Sequence, residues 1–364
     1  MYNELLILIG VSFFDMFVYN LIIIVLAVAF LFSLKNQHLK YCNTITFFLC
    51  IFLWILAANH SLEVGTDTFN YYQNFTNVLN EKNMYYNQGL QRGWYFYNLL
   101  LYKFGNYDIF MYVCYGMILG GVFTFIRKCS PNSVMSLFLF VLLYYYCNSL
   151  NIMRQFIAIG IVLIAYALYL NKNNKKYIIS ICLASLFHYT AILLLPICFL
   201  TKIKLSSKLV YLLVVVSFLL GFFLQDYVKP IVDKMLLLSG GFEGMAFYLE
   251  NWGGERNLFS NIAINSVFIL TYYLSKDKNN SFLLLYLMSV LLSNMFGAMG
   301  QANRFFIYFQ ITMLAVIPRL YYELRRISFI KASAYLIVIL VYAYSIWYLS
   351  IDSNASEVVP FLFR

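Results

Sequence analysis

A carboxylate, an imidazole and a few guanidinium groups stand out in a chain otherwise built of apolar residues. Asp67 lies in the run Gly65, Thr66, Asp67, Thr68, Phe69, Asn70, Tyr71, Tyr72. Positions i and i+4 of a helix share a face, so Asp67 and Tyr71 would line one wall of a polar site. An Asp after Gly also starts a helix well by capping its free N–H groups, and the motif alone leaves both readings open. Arg154 opens an apolar run and is flanked by Asn148, Ser149, Asn151 and Gln155. An Arg at membrane depth is costly and usually faces a cavity or a partner, although an interfacial Arg can snorkel to water. The polar neighbours favour a pocket. His188, between Phe187 and Tyr189, has the ordinary pKa for proton transfer near neutrality, while a lone His among apolar residues is often a satisfied core residue.

Further guanidinium groups extend the set. Arg92 precedes Gly93 and Trp94; Arg304 follows Asn303, with Tyr308 four residues on; Arg256 stands beside Glu255. Guanidinium forks bind phosphate bidentately. Pairing with a nearby carboxylate is the competing reading, and for Arg256 the better one. Phosphate loops, zinc-protease helices, dinucleotide fingerprints and nucleophile elbows are all missing from the sequence, as is a DxD pair of the kind that holds a divalent metal on a sugar nucleotide. No metal and no cofactor is expected.

Helices in a bilayer must position these groups. Of 364 residues, 63% are hydrophobic and only 11% charged, less than half the usual share for a soluble domain. That excludes a water-soluble enzyme, a disordered chain and a disulfide scaffold. The seven Cys lie within or beside apolar runs without a CxxC pair and read as small core residues. Apolar runs fall near 14–34, 43–59, 107–126, 133–149, 152–170, 176–200, 208–224, 257–275, 281–297, 304–319 and 331–350. Each must be a helix, because lipid offers no partner for free backbone groups. The start, with Glu4 and no basic stretch before its apolar run, does not read as a cleavable signal. The expected fold is an all-α polytopic membrane protein of about 11–12 transmembrane helices, one membrane domain over 1–364.

The net charge of +10 sorts by side. Loops 35–40, 127–128, 172–176, 202–208, 276–278 and 319–331 hold sixteen basic and two acidic residues; the remainder holds nine basic and thirteen acidic. The excess thus orients the protein, with the first set cytoplasmic, and does not speak for nucleic acid. Because both flanks of 176–200 are basic, that run should enter and return on one side as a helical hairpin with its tip near His188. Arms of a dozen residues, about 18 Å at helical rise, would leave the tip short of full crossing. Two segments on the other side, 60–106 and 225–256, are long for loops and carry their own amphipathic pieces, as functional loops do.

Taken in order, Gly65-x-Asp67-x-x-x-Tyr71, Asn151-x-x-Arg154-Gln155, Phe187-His188 and Asn303-Arg304-x-x-x-Tyr308 resemble the EpsG family of Wzy-type polysaccharide polymerases over roughly residues 40–350. The resemblance implies a GT-C-like helical architecture. It implies a metal-independent glycosyltransferase that joins oligosaccharide units carried on undecaprenyl pyrophosphate at the outer face of the bacterial inner membrane, making O-antigen, capsule or exopolysaccharide. Arg154, Arg304 and then Arg92 are expected to bind pyrophosphate. Asp67 is expected as base or acceptor-positioning group, with His188 its rival or, if the hairpin leaves it deep, an orienting group. Tyr71, Tyr72 and Trp94 would stack on sugars, with Asn151, Gln155, Asn303 and Tyr308 orienting. Expected partners are the lipid-linked oligosaccharides, membrane lipids and a chain-length regulator. An O-antigen ligase shares the donor; a lipid-linked oligosaccharide flippase is the alternative of another class, disfavoured because the charges gather at one face without a visible internal repeat.

Overall fold

A computed structural model describes residues 15–35, 38–79, 92–170, 173–200, 203–223, 258–297 and 303–364. The expected loop 225–256 with Arg256 lies outside the described residues. The regular elements among those described are all helices, with one isolated bridge between His60 and Phe363 and no strand among them. The chain divides into two compact units, Met1–Cys198 with Ala334–Arg364, and Phe199–Ser333.

The first unit contains α1 (Phe17–Lys35), α2 (Leu39–Ala58), α3 (Thr68–Thr76), α4 (Arg92–Phe104), α5 (Tyr107–Cys129), α6 (Ser133–Leu142), α7 (Tyr145–Asn151), α8 (Met153–Leu170) and α9 (Asn174–Phe187). Four of these, α1, α2, α5 and α8, are long and apolar enough to cross a membrane. Twenty helical residues rise about 30 Å, the thickness of the hydrocarbon layer. Asparagine caps set several starts: the Asn106, Asn132 and Asn173 side chains accept from the N–H groups of Ile109, Met135 and Lys176. Every residue of α6 is buried, as befits a helix apolar on all sides. Gly121 and Gly160 let the backbones of α5 and α8 touch; a side chain at Gly160 would meet the Met117 carbonyl at 2.9 Å. Between α6 and α7 the chain bends by 57° at Tyr144, whose φ of 66° no tyrosine adopts without surrounding constraint. The bend delivers Asn151 and Arg154 to one end of the unit.

The run 176–200 does double back. After α9 comes a 3₁₀ helix, Tyr189–Leu194, and then α10 (Ile197–Leu200). The Tyr177 hydroxyl, near the start of α9, donates to the Leu194 carbonyl at 2.6 Å, and Tyr169 in α8 donates to Ile197 at 3.2 Å. The two ends of the hairpin therefore lie together. Its return arm is not one continuous α-helix: it starts as 3₁₀ and turns α-helical only after Pro196, which has no N–H to continue a ladder.

The second unit holds α11 (Ser207–Phe223), α12 (Leu258–Leu274), α13 (Ser281–Phe296), α14 (Asn303–Gln310) and α15 (Met313–Arg325); α16 (Phe329–Ser353) begins in it and runs on into the first unit. The stretch through α14 and α15 and the helix α16 have span length, while α11 to α13 are apolar helices of 16–17 described residues. Asn265 and Asn294 exchange amide hydrogen bonds at 2.7 and 2.9 Å, and Asn294 also donates to Ser217 at 2.9 Å. This pins α11, α12 and α13 to one another.

Candidate active site

The first two motifs meet at one end of the first unit. Asn151, buried in the last turn of α7, accepts with its side-chain oxygen from the Thr66 hydroxyl and from the Asp67 backbone N–H, both at 3.0 Å. Thr68 donates to the Val64 carbonyl at 2.6 Å and lies 3.2 Å from that of Leu150. Gly65 makes this approach possible: its φ is +90°, and a side chain there would meet the Asn151 Cα and the Leu150 carbonyl at 3.0 Å. Asp67 occupies the N-cap position of α3, yet its carboxylate makes no capping hydrogen bond. The half-buried acid is thus set beside the segment that carries Arg154, half-buried in the first turn of α8, with Gln155 buried next to it.

Aromatic rings join α3 to the hairpin tip. Tyr71 meets Trp94 edge-to-face at 5.5 Å, and Trp94 packs on Tyr97 and Phe110 at 5.8 and 5.6 Å. Trp94 and Tyr71, expected as sugar platforms, are enclosed in this cluster and hold α4 in place; Tyr72, half-buried with its ring 5.0 Å from Tyr107, keeps an accessible edge. Gly93 abuts the end of α9, where a side chain would meet Leu186 at 2.5 Å, and Phe187 packs on Tyr97 at 5.9 Å. The hairpin tip therefore reaches the first turn of α4, which carries the exposed Arg92. His188, half-buried at the tip, has Nδ1 2.6 Å from the Thr190 hydroxyl and stacks on Tyr189.

In the second unit Asn303 and Arg304 open α14, where Arg304 is half-buried and Tyr308 fully enclosed. The expected orienting role of the Asn303 side chain falls outside what is described.

Sequence reasoning missed the segment after α16. Residues 354–364 fold back over the loop before α3: the Gly65 N–H donates to the Glu357 carbonyl at 2.8 Å, Thr66 to Ser356 at 3.2 Å, and Ser61 to Leu362 at 2.7 Å. It also missed His60, fully buried between the Ser61 carbonyl (2.7 Å) and the Tyr115 hydroxyl (2.8 Å). A carbonyl can only accept, so the ring proton belongs on Nδ1. Burial, reinforced by the Arg364 charge and opposed by the Ser61 carbonyl, pushes the imidazole pKa down to about 4. Only the match of an apolar tail to a short loop could have signalled this contact, and spacing does not encode it.

The fold is that of a multi-pass all-α membrane protein, and Asp67, Asn151 and Arg154 lie together at the end of the first unit away from the basic residues Lys35, Lys40, Arg127 and Lys128. A model of the EpsG family matches residues 43–363, and the chain belongs to that family, a Wzy-type polymerase-like group. The match takes in the segment that covers the Asp67 loop. No curated protein and no solved structure matches the chain. The family makes this a polysaccharide polymerase-like membrane protein with a glycosyltransferase-type role.

Proposed function

We propose that the protein polymerises oligosaccharide repeat units carried on undecaprenyl pyrophosphate, at the outer face of the bacterial inner membrane and without a metal. The observation that carries this reading is the hold of the buried Asn151 amide on Thr66 and Asp67, which ties a half-buried acid to the end of α7, three residues before Arg154 in the first turn of α8. The donor is the growing chain on its lipid pyrophosphate. The acceptor hydroxyl of an incoming unit attacks the donor's anomeric carbon. Its proton passes to the Asp67 carboxylate, and the bond from that carbon to the pyrophosphate oxygen breaks, leaving the electron pair on the pyrophosphate. Arg154 stabilises that departing charge, with Arg92 at the rim. His188, at the hairpin tip beside α4, orients the leaving phosphate. Tyr72 offers an edge for a sugar ring. The orientation follows from the basic turns at the end away from Asp67.

Purified protein in vesicles, supplied with lipid-linked repeat units but no nucleotide sugar and with EDTA present, should produce a ladder of lengthened lipid-linked chains. Single units that remain unextended while crossing the bilayer would identify a flippase. Transfer confined to an added lipid A core would identify a ligase.

A further inference from the structure

The loop from Asn59 to Thr66 lies between two helices and satisfies only part of its backbone locally: the Val64 N–H donates to the Ser61 carbonyl at 3.3 Å and the Glu63 N–H to the Ser61 hydroxyl at 3.2 Å, while the N–H groups of Ser61, Gly65 and Thr66 turn to partners outside it. The 354–364 segment supplies the partners. Besides the bonds to Gly65, Thr66 and Ser61, the Arg364 N–H donates to the Asn59 carbonyl at 2.9 Å. The segment is itself fixed. The Asn354 side chain closes it by pairing with the backbone of Val359 at 2.7 and 3.1 Å, and the Tyr19 hydroxyl donates to the Val358 carbonyl at 2.6 Å. The Arg364 guanidinium donates to Asp108 at 2.7 Å and to the Ala58 carbonyl, and lies 5.4 Å over the Tyr107 ring. Tyr107 in turn meets Tyr72.

We propose that residues 354–364 are a positioning strap for the site: the strap clamps Gly65 and Thr66 from one side while Asn151 holds Thr66 and Asp67 from the other, and Arg364 anchors it. The inference rests on Asp67 acting as the base. Its physical content is that the acid's backbone is fixed by two independent grips, and that Arg364 and the Glu357 carbonyl act on turnover without touching substrate. Arg364 reaches the site along two routes, through Ala58 into the loop and through Tyr107 to Tyr72.

The grip is made by a backbone carbonyl, which separates it from side-chain effects. Glu357 sits at φ 50°, which glycine accepts and proline cannot adopt, and its N–H bonds the Asn354 carbonyl at 2.9 Å. Glu357→Gly, Glu357→Pro, Arg364→Ala, Arg364→Lys and Asp67→Asn should be assayed in the full chain for kcat and KM on lipid-linked units, for melting temperature, and for amide exchange over 61–68. Glu357→Pro and Arg364→Ala should lower kcat by about tenfold to a hundredfold with KM little changed, as misplacement of a reacting group does. Exchange at Gly65 and Thr66 should quicken in both. Glu357→Gly should stay near wild type, and Arg364→Lys should recover part of the loss. Unaltered exchange over 61–68 in both variants overturns the strap. So does quickened exchange with unchanged kcat, or a loss of turnover fully accounted for by a lowered melting temperature. Full turnover in Asp67→Asn instead sinks the base assignment, and the exchange result still decides whether the strap holds the loop.

Discussion

The two ends of the first unit are built from the same small polar residues and put them to different use. At the end with the basic turns, Asn132 donates to Ser33 at 3.0 Å and caps α6, Ser136 bonds Ser130 at 2.7 Å, and Thr46, Ser133 and Asn43 form a chain of bonds at 2.9 Å. Those groups satisfy one another and seat one helix on the next. At the opposite end Asn151 serves the backbone of an acid-bearing loop, and half-buried Asp67 and Arg154 stand beside it. Buried amides and hydroxyls among membrane helices are therefore weak markers of a site; an ionisable group held among them is the stronger one.

The comparison breaks first on charge. Arg154→Ala should abolish polymer, a loss of about a thousandfold or more if it stabilises the leaving pyrophosphate. Asn132→Ala, at the other end, removes a cap and a buried bond and should cost about 1–2 kcal/mol of stability with turnover per folded molecule unchanged. Ladder assays with melting curves on the same samples check both. Long polymer from Arg154→Ala would sink the pyrophosphate assignment.

The next largest effect is on stability and lies at the site end alone, in His60. Its folded pKa of about 4 is below the ordinary 6.5, so between these values the unfolded chain binds the proton that the folded protein excludes. Stability is thus fully present above about pH 6.5 and falls as the pH drops towards 4, by roughly 3 kcal/mol over the whole window. Melting temperature measured in detergent from pH 7.5 to 4 should show this decline, and His60→Gln should flatten it. An equal slope in both proteins would assign the acid sensitivity elsewhere.

Much of this arrangement was legible in the sequence. Each of the eleven apolar runs contains a helix, as an apolar run must in lipid, but among the described residues six helices, or seven with the pair bent at Tyr144, have the length and apolarity of a span, against the 11–12 expected. The hairpin at 176–200 was readable from basic residues on both flanks. The 3₁₀ return arm and the break at Tyr144 were not: one follows from a proline within an apolar run, the other from a tyrosine forced into a left-handed conformation by its surroundings. At the site, Asp67 and Asn151 each drew notice from local composition, but a contact across 84 residues of sequence has no local signature. Trp94 shows the limit from the other side, since a core ring and a sugar platform look alike until burial is known. The strap's grip on Gly65 and Thr66 left no trace because it is made by backbone carbonyls.

A smaller effect is expected from Asn151. Asn151→Ala removes the acceptor for the Thr66 hydroxyl and the Asp67 N–H, so it should destabilise the protein by about 1–3 kcal/mol and lower kcat by about tenfold or more. Asn265→Ala breaks a comparable buried amide pair in the second unit and should affect stability alone. If the two variants lose kcat equally after correction for folded fraction, the Asn151 bond has no special connection to the chemistry.

The smallest effect sharpens the comparison by holding residue type constant. Arg127 is also an arginine near a helix end, but it is exposed, lies 5.7 Å over the Phe123 ring, and belongs to the basic end. A cation on an exposed aromatic face contributes about 0.5–1 kcal/mol. It is also one of sixteen basic residues assigned to the cytoplasmic side, so its loss leaves the orientation bias intact. Arg127→Gln should therefore change the melting temperature slightly and leave the polymer ladder at wild-type length and yield. Abolished polymer in Arg127→Gln, with the protein folded and inserted, would mean that the basic end takes part in the reaction and that place does not distinguish the two arginines.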